Sequence, residues 1–211
     1  MELYFSPLAC SLATRIALYE AGADARFTRV DLRTKRAEGG EDFTAVNPLG
    51  QVPALSTDDG EILTENAAVL QYVADRFPAA GLAPVGAAAR SRLHEWLGFI
   101  GTELHKGIFL PLFSSAANDD VKAFARAAIP SRFAHLSRRL EGRTTLLDGF
   151  SVADAYLVTI LNWTAAVGPS LSDWPVVQAY HRAQLARPSV ARAVAEERAL
   201  YAEEQQRAVK S

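Results

Sequence analysis

The sequence predicts an α/β domain built on a small mixed sheet, followed by an all-α domain. Three observations carry that prediction. Residues 1–77 read as strand, helix, strand and then strand, strand, helix. Residues 78–86, from Pro78 through Gly81 and Pro84 to Gly86, are rich in breakers and small residues and read as a linker. From residue 87 to residue 211 apolar residues recur only at helical spacing.

The elements follow in order. Leu3 to Phe5 is a short apolar run that reads as a strand, broken by Ser6-Pro7. From Ser11 onward Leu12, Ile16 and Tyr19 mark a helix that ends near Gly22. Arg26 to Leu32 alternates like a second strand, and strand–helix–strand favours a parallel pair with a right-handed crossover. Arg33 to Asp42, with Lys35 and Arg36, reads as a charged, solvated loop. After the turn Asn47-Pro48-Leu49-Gly50, the strands Val52–Leu55 and Ile62-Leu63 are joined by Asp58-Asp59-Gly60, a hairpin signal. Thr64-Glu65-Asn66 opens a helix with Val69 or Leu70, Val73 and Phe77 on its apolar face. Thr64 is expected to cap it, and Glu65 in its first turn suits the dipole. This order describes a thioredoxin-like sheet.

In the helical domain Leu93, Leu97, Ile100 and Leu104 form one stripe, and Gly98, Thr102 and His105 a second. Phe109, Leu110, Leu112 and Phe113 crowd the far end of that helix. The helix from about Val121 to Glu141 contains Pro130, which is expected to kink it or end it near Ile129. Ser151-Val152-Ala153-Asp154 is a capping box opening a helix that buries Leu157, Ile160 and Leu161. Helices Pro175–Ala186 and Ser189–Tyr201 follow, and the polar tail to Ser211 is expected to fray. Trp96 and Trp163, at helical spacing among apolar neighbours, read as core.

Composition bounds the function. Of 211 residues 49% are hydrophobic and 22% charged, which supports a packed core in a soluble chain. The formal charge of −2 points to no nucleic acid and no anionic membrane as partner. No apolar run approaches the roughly 18 residues of a membrane helix. Met1-Glu2-Leu3 is not the basic start of a secretory signal, so a cytoplasmic location is expected. No Cys/His cluster has ligand spacing, so no metal is expected.

Cys10 is the single cysteine, placed where a turn delivers a helix N-terminus. Unpaired N–H groups and the positive dipole end stabilise a thiolate there. The other reading is a small buried apolar residue. Without a second cysteine, intramolecular disulfide chemistry is excluded, and any disulfide at Cys10 involves another molecule.

Taken together, Ser6-Pro7 with Ala9-Cys10-Ser11, Asn47-Pro48-Leu49-Gly50-Gln51-Val52-Pro53-Ala54-Leu55, Thr64-Glu65, Thr102-Glu103-Leu104-His105-Lys106-Gly107 and Ser151-Val152-Ala153-Asp154-Ala155-Tyr156 resemble the cytosolic glutathione S-transferases. Cys10 and the segment around His105 resemble the bacterial beta class, and the resemblance runs from Met1 to about Ala195. It implies glutathione as co-substrate, a homodimer, and a cis bond at Val52-Pro53. It also implies that the extended backbone at Gln51, Val52 and Pro53 pairs with the cysteinyl part of glutathione. Glu65 would accept the γ-glutamyl ammonium, and the amide of Asn66 its carboxylate. Lys35, His105 and Lys106 match positions near the glycyl carboxylate, and Thr102 and Glu103 are glutathione-binding candidates with them. Cys10 and His105 are the catalytic candidates. Phe109, Leu110 and Phe113 are candidates for an apolar wall, with core packing the competing reading.

Two positions depart from the family pattern. Gly98 stands where Asn is common, removing a polar group near the thiol and suggesting close packing or room for a substrate. Asn66 stands where Ser or Gly is common, with its backbone amide unchanged. Three activities fit the sequence: a transferase joining the glutathione thiolate to apolar electrophiles, a glutathione-dependent disulfide reductase or peroxidase with Cys10 as nucleophile, and a non-catalytic carrier of glutathione or apolar ligands.

Overall fold

Alternation along β1 (Glu2–Phe5) buries Leu3 and Phe5 on one face and leaves Glu2 and Tyr4 on the other. The computed structural model describes residues 1–210. β1 pairs in parallel with β2 (Arg26–Asp31), Tyr4 opposite Thr28, after the crossover through α1 (Leu12–Glu20). On its other side β1 pairs antiparallel with β4 (Ala54–Ser56), Leu3 opposite Leu55. β4 forms the expected hairpin with β5 (Ile62–Thr64). The sheet order is β3-β2-β1-β4-β5, the mixed thioredoxin-like arrangement the element order implies.

β3 (Arg36–Ala37) lies inside the stretch expected to be a charged loop. Two residues pair with Val30 and Asp31, too short a run for any periodicity to register. α2 (Asn66–Arg76) also starts differently from expectation. Thr64 is the last residue of β5 and caps nothing; Glu65 is the N-cap, at φ 65. One sheet face is covered by α1 and α2. The other buries Val30, Phe43, Val52 and Ala54 together, with Tyr4, Ala9, Leu32 and Val46 packed around them.

The chain divides into two compact units. One joins Met1–Leu82 with the residues from Pro188 on, and the other is Ala83–Arg187. The last helix, α8 (Pro188–Lys210), therefore belongs with the sheet, whereas the sequence placed it in the helical domain. Val190, Ala193, Val194 and Glu197 are its buried stripe, lying along α1. The Arg15 guanidinium of α1 is 3.0 Å from both Glu196 and Glu197 and stacks 4.2 Å from the rings of Phe5 and Phe27. A helix pattern carries no label for the face it will cover. α8 also runs nine residues past the expected end at Tyr201; the expected fraying at Ser211 itself lies outside the described residues.

In the second unit, α3 (Ala87–Phe99) continues into a π-helical segment, Ile100–Phe109, and then α4 (Leu110–Phe113). α5 (Asp119–Leu140) runs unbroken through Pro130, which does not end it at Ile129. Phe133, Leu136 and Leu140 beyond the proline are buried, and their packing outweighs one missing helix hydrogen bond. α6 (Val152–Asn162) begins at the expected capping box. The fully buried Asp154 carboxylate accepts from the Ser151 N–H at 3.0 Å, the Leu146 N–H at 2.8 Å and the Tyr180 hydroxyl at 2.9 Å, the last from α7 (Pro175–Leu185). Among the described residues no helix is long and apolar enough to cross a membrane.

Candidate functional site

The thiol turn runs from Ser6 to Ser11. Ala9 N–H bonds the Ser6 carbonyl at 3.0 Å, Leu8 takes φ 60, and Leu12 N–H bonds the Ala9 carbonyl at 3.1 Å as α1 begins. Cys10 is half-buried, and its Sγ donates to the Val52 carbonyl at 3.2 Å. A carbonyl only accepts, so this contact favours the protonated thiol, while the N-terminus of α1 favours the thiolate. The sequence showed the second influence and hid the first.

Two stretches far apart in the chain meet at this turn, and a third packs on the approach to one of them. Val52 is buried, its peptide bond to Pro53 is cis, and the Gln51 carbonyl ahead of it accepts from Asn47 Nδ2 at 2.7 Å. Lys35, at φ 58, lays its stem over Gly50 and donates from Nζ to the Gly50 carbonyl at 3.0 Å. Gly50 has φ 59, and a Cβ there would stand 2.9 Å from Lys35 Cδ, so the turn leading into Gln51 needs glycine. Glu65 is exposed at the head of α2. Beside it the Asn66 side chain is buried: Nδ2 donates to the Cys10 carbonyl at 3.1 Å, and Oδ1 accepts from Thr14 Oγ1 at 3.4 Å. Sequence reasoning gave Asn66 only its backbone amide.

Glu197 was missed altogether. Its carboxylate is 0% exposed, accepts the Leu8 N–H at 2.7 Å across a separation of 189 residues, and pairs with Arg15. Burial pushes its pKa from 4.5 up to about 7, against the lowering pull of Arg15 and the Leu8 N–H. The only signal in the sequence is a glutamate at a position where the helical stripe calls for an apolar residue.

The helical unit holds the remaining candidates. His105 is 8% exposed; its Nδ1 is 2.7 Å from the Tyr156 hydroxyl and its ring 5.0 Å from that of Trp163. Desolvation, aided by the Lys106 charge, lowers its pKa to about 4, so the ring is neutral near pH 7. It is not the cation that the sequence reading placed near a carboxylate. Thr102 is exposed and its hydroxyl bonds the Gly98 carbonyl at 3.0 Å; Glu103 pairs with Arg132 at 2.8 Å; Lys106 is exposed. Phe109 is 0% exposed against Trp163, which makes it core and not an open wall, whereas Leu110 and Phe113 are 50% and 46% exposed. Gly98 is exposed, and a Cβ there meets nothing within 4 Å, which answers the choice between close packing and room in favour of room.

Comparison with known proteins follows the same division of the chain. Residues 2–75 match the family Glutathione S-transferase, N-terminal domain, and residues 119–183 match Glutathione S-transferase, C-terminal domain. The chain is 42% identical over 199 residues to glutathione S-transferase GstA of Escherichia coli O157:H7, covering 93% of this chain and 98% of that protein. Among solved structures it is similar to a sphingomonad glutathione S-transferase complexed with glutathione, at 47% identity and TM-score 0.89, covering 93% of this chain and 98% of that one. It is similar also to the bacterial glutathione S-transferase BphK in a ternary complex, at 45% identity and TM-score 0.90, covering 93% and 99%.

Proposed function

Because the chain belongs to the glutathione S-transferase family, we propose that it is an enzyme joining the sulfur of glutathione to an electrophilic carbon of a small apolar substrate. The observation that carries this reading is the double attachment of Cys10, by Sγ to the Val52 carbonyl and by its own carbonyl to Asn66. It gathers a thiol-bearing turn, an extended peptide edge and a helix N-terminus in one unit. Val52 presents N–H and C=O to the cysteinyl part of glutathione. Its carbonyl has two lone pairs and can accept a ligand N–H beside the Cys10 thiol.

The Asn66 and Ala67 N–H groups at the head of α2 precede the first helical bonds, which Ala68 and Val69 make to the Glu65 carbonyl, and receive the γ-glutamyl carboxylate, with the Glu65 carboxylate for the ammonium. Lys35 supplies a cation for the glycyl end. Holding the thiolate next to a bound electrophile replaces a bimolecular encounter with an oriented one. The enzyme would work as a homodimer in the cytoplasm, where its one cysteine stays reduced, in the removal of toxic electrophiles.

A second reading, reduction of disulfides or peroxides through Cys10, is favoured by that half-buried thiol at the start of α1. Cys10→Ala separates the two. Conjugation of glutathione to a chloronitroarene should fall by no more than roughly tenfold, since a single neighbour's contact is worth about 0.5–1.5 kcal/mol. Reduction, if Cys10 is its nucleophile, should be lost, and oxidised glutathione should then add once to the native chain and not to the variant. A native chain without conjugating activity would refute the first reading.

A further inference from the structure

Asn66 has its backbone and its side chain in two different places. The backbone opens α2, where the reading above puts a ligand carboxylate; the side chain is 6% exposed and turned to α1. There one amide group makes two bonds, Nδ2 to the Cys10 carbonyl at 3.1 Å and Oδ1 from the Thr14 hydroxyl at 3.4 Å. Thr14 is fully buried one turn into α1, so the far end of the bridge cannot drift. The Cys10 carbonyl also accepts the Ala13 N–H at 3.2 Å as α1 starts. A peptide held from both sides leaves Cys10 little freedom except rotation about its own side chain, and that rotation brings Sγ to the Val52 carbonyl at 3.2 Å.

We propose that Asn66 is a positioning residue for the Cys10 thiol, its side-chain amide holding the first turn of α1 so that Sγ is kept against the Val52 carbonyl. The placement has a chemical consequence. Against an acceptor-only carbonyl the thiol retains its proton, so Asn66 restrains the reactivity that the N-terminus of α1 would otherwise promote. It also joins that restraint to the head of α2: a carboxylate drawn to the Asn66 N–H moves the residue that holds Cys10. This coupling rests on the glutathione reading; the restraint on the thiol does not.

Cys10 is the single cysteine, so capture by iodoacetamide reads its reactivity without interference. Asn66→Ser keeps the backbone N–H and loses the bridge to Thr14. The expected result is capture about two- to tenfold faster near neutral pH, the range that one lost hydrogen bond covers, with the midpoint of the pH profile moved down. Thr14→Val removes only the outer bond and should shift both readouts in the same direction by less. Should Asn66→Ser fold poorly, Thr14→Val decides by the same measure. Capture rates and pH midpoints equal to those of the native chain would overturn the proposal. None of these readouts requires conjugating activity. A native chain that fails to conjugate glutathione sinks the functional reading alone, and an unmoved pH profile sinks this one alone.

Discussion

Replacing Glu197 with Gln tests a fully buried carboxylate of the sheet unit. The native carboxylate has no exposed surface, and burial places its pKa at about 7 against an ordinary 4.5. The folded chain therefore holds the proton more tightly than the unfolded one. The stability this confers is full below about 4.5 and is lost as the pH rises through about 7. At about 1.4 kcal/mol per pH unit, that interval corresponds to roughly 3 kcal/mol. Gln has the same shape, can still accept the Leu8 N–H, and does not titrate.

The neighbouring groups largely cancel in the comparison. Glu196 lies below its ordinary range despite desolvation, held by its bonds to Tyr19 and Arg192, and Tyr19 lies above 10. The native chain should thus lose about 3 kcal/mol of stability relative to Glu197→Gln between about pH 5 and pH 8.5, read from urea unfolding of both proteins at matched concentration. The absolute offset between them will also contain Arg15, left with Glu196 as its carboxylate partner, so the slope and not the offset is the measurement. A difference that does not change with pH would mean that Glu197 keeps its charge in the fold, and that Arg15 and the Leu8 N–H outweigh burial.

Gly107→Ala should lower stability by about 1–3 kcal/mol in thermal unfolding, because its Cβ would stand 2.8 Å from the Thr102 backbone carbonyl in the π-helical segment. Gly98→Ala, near the end of α3, should instead raise stability by up to about 1 kcal/mol, its Cβ meeting nothing within 4 Å. His105, with a pKa near 4, contributes stability that is intact above about 6.5 and lost as the pH falls through about 4; its ring resonances should stay those of neutral imidazole from neutral pH to about 5. Tyr156→Phe, which removes the hydroxyl 2.7 Å from His105 Nδ1, should cost about 1 kcal/mol in urea unfolding, and an unchanged midpoint would mean that the bond is replaced by water.

Periodicity and turn chemistry made most of the fold legible. The crossover through α1 and the hairpin at Asp58-Asp59-Gly60 depend on neighbouring residues, which a single chain displays directly. β3 escaped because its two residues are held by β2, not by their own pattern. The π-helical segment escaped because the residue types from Ile100 to Phe109 are those of any helix, and the wider turn only changes which of them face inward. His105 lies in this segment and is buried, although at α-helical spacing it shares a stripe with the exposed Gly98 and Thr102.

The candidate site was legible in its local geometry, as in the turn that bears Cys10, the cis bond at Val52-Pro53 and the helix opening at Glu65-Asn66. It was illegible where a side chain acts on another residue's peptide. Asn66 reaches the Cys10 carbonyl across 56 residues and Glu197 reaches the Leu8 N–H across 189. Neither bond has a local signature, since its geometry exists only after α2 and α8 have packed on α1. The same fact separates two kinds of control over the thiol. The dipole of α1 is built as soon as that helix forms, and it favours ionisation. The Val52 contact and the bonds to Asn66 and Glu197 arise only with tertiary packing; the first favours the protonated thiol, and the others fix the turn that bears it. Reactivity at Cys10 should therefore rise when packing around the turn loosens, even while α1 stays helical, and fall only when α1 itself is lost.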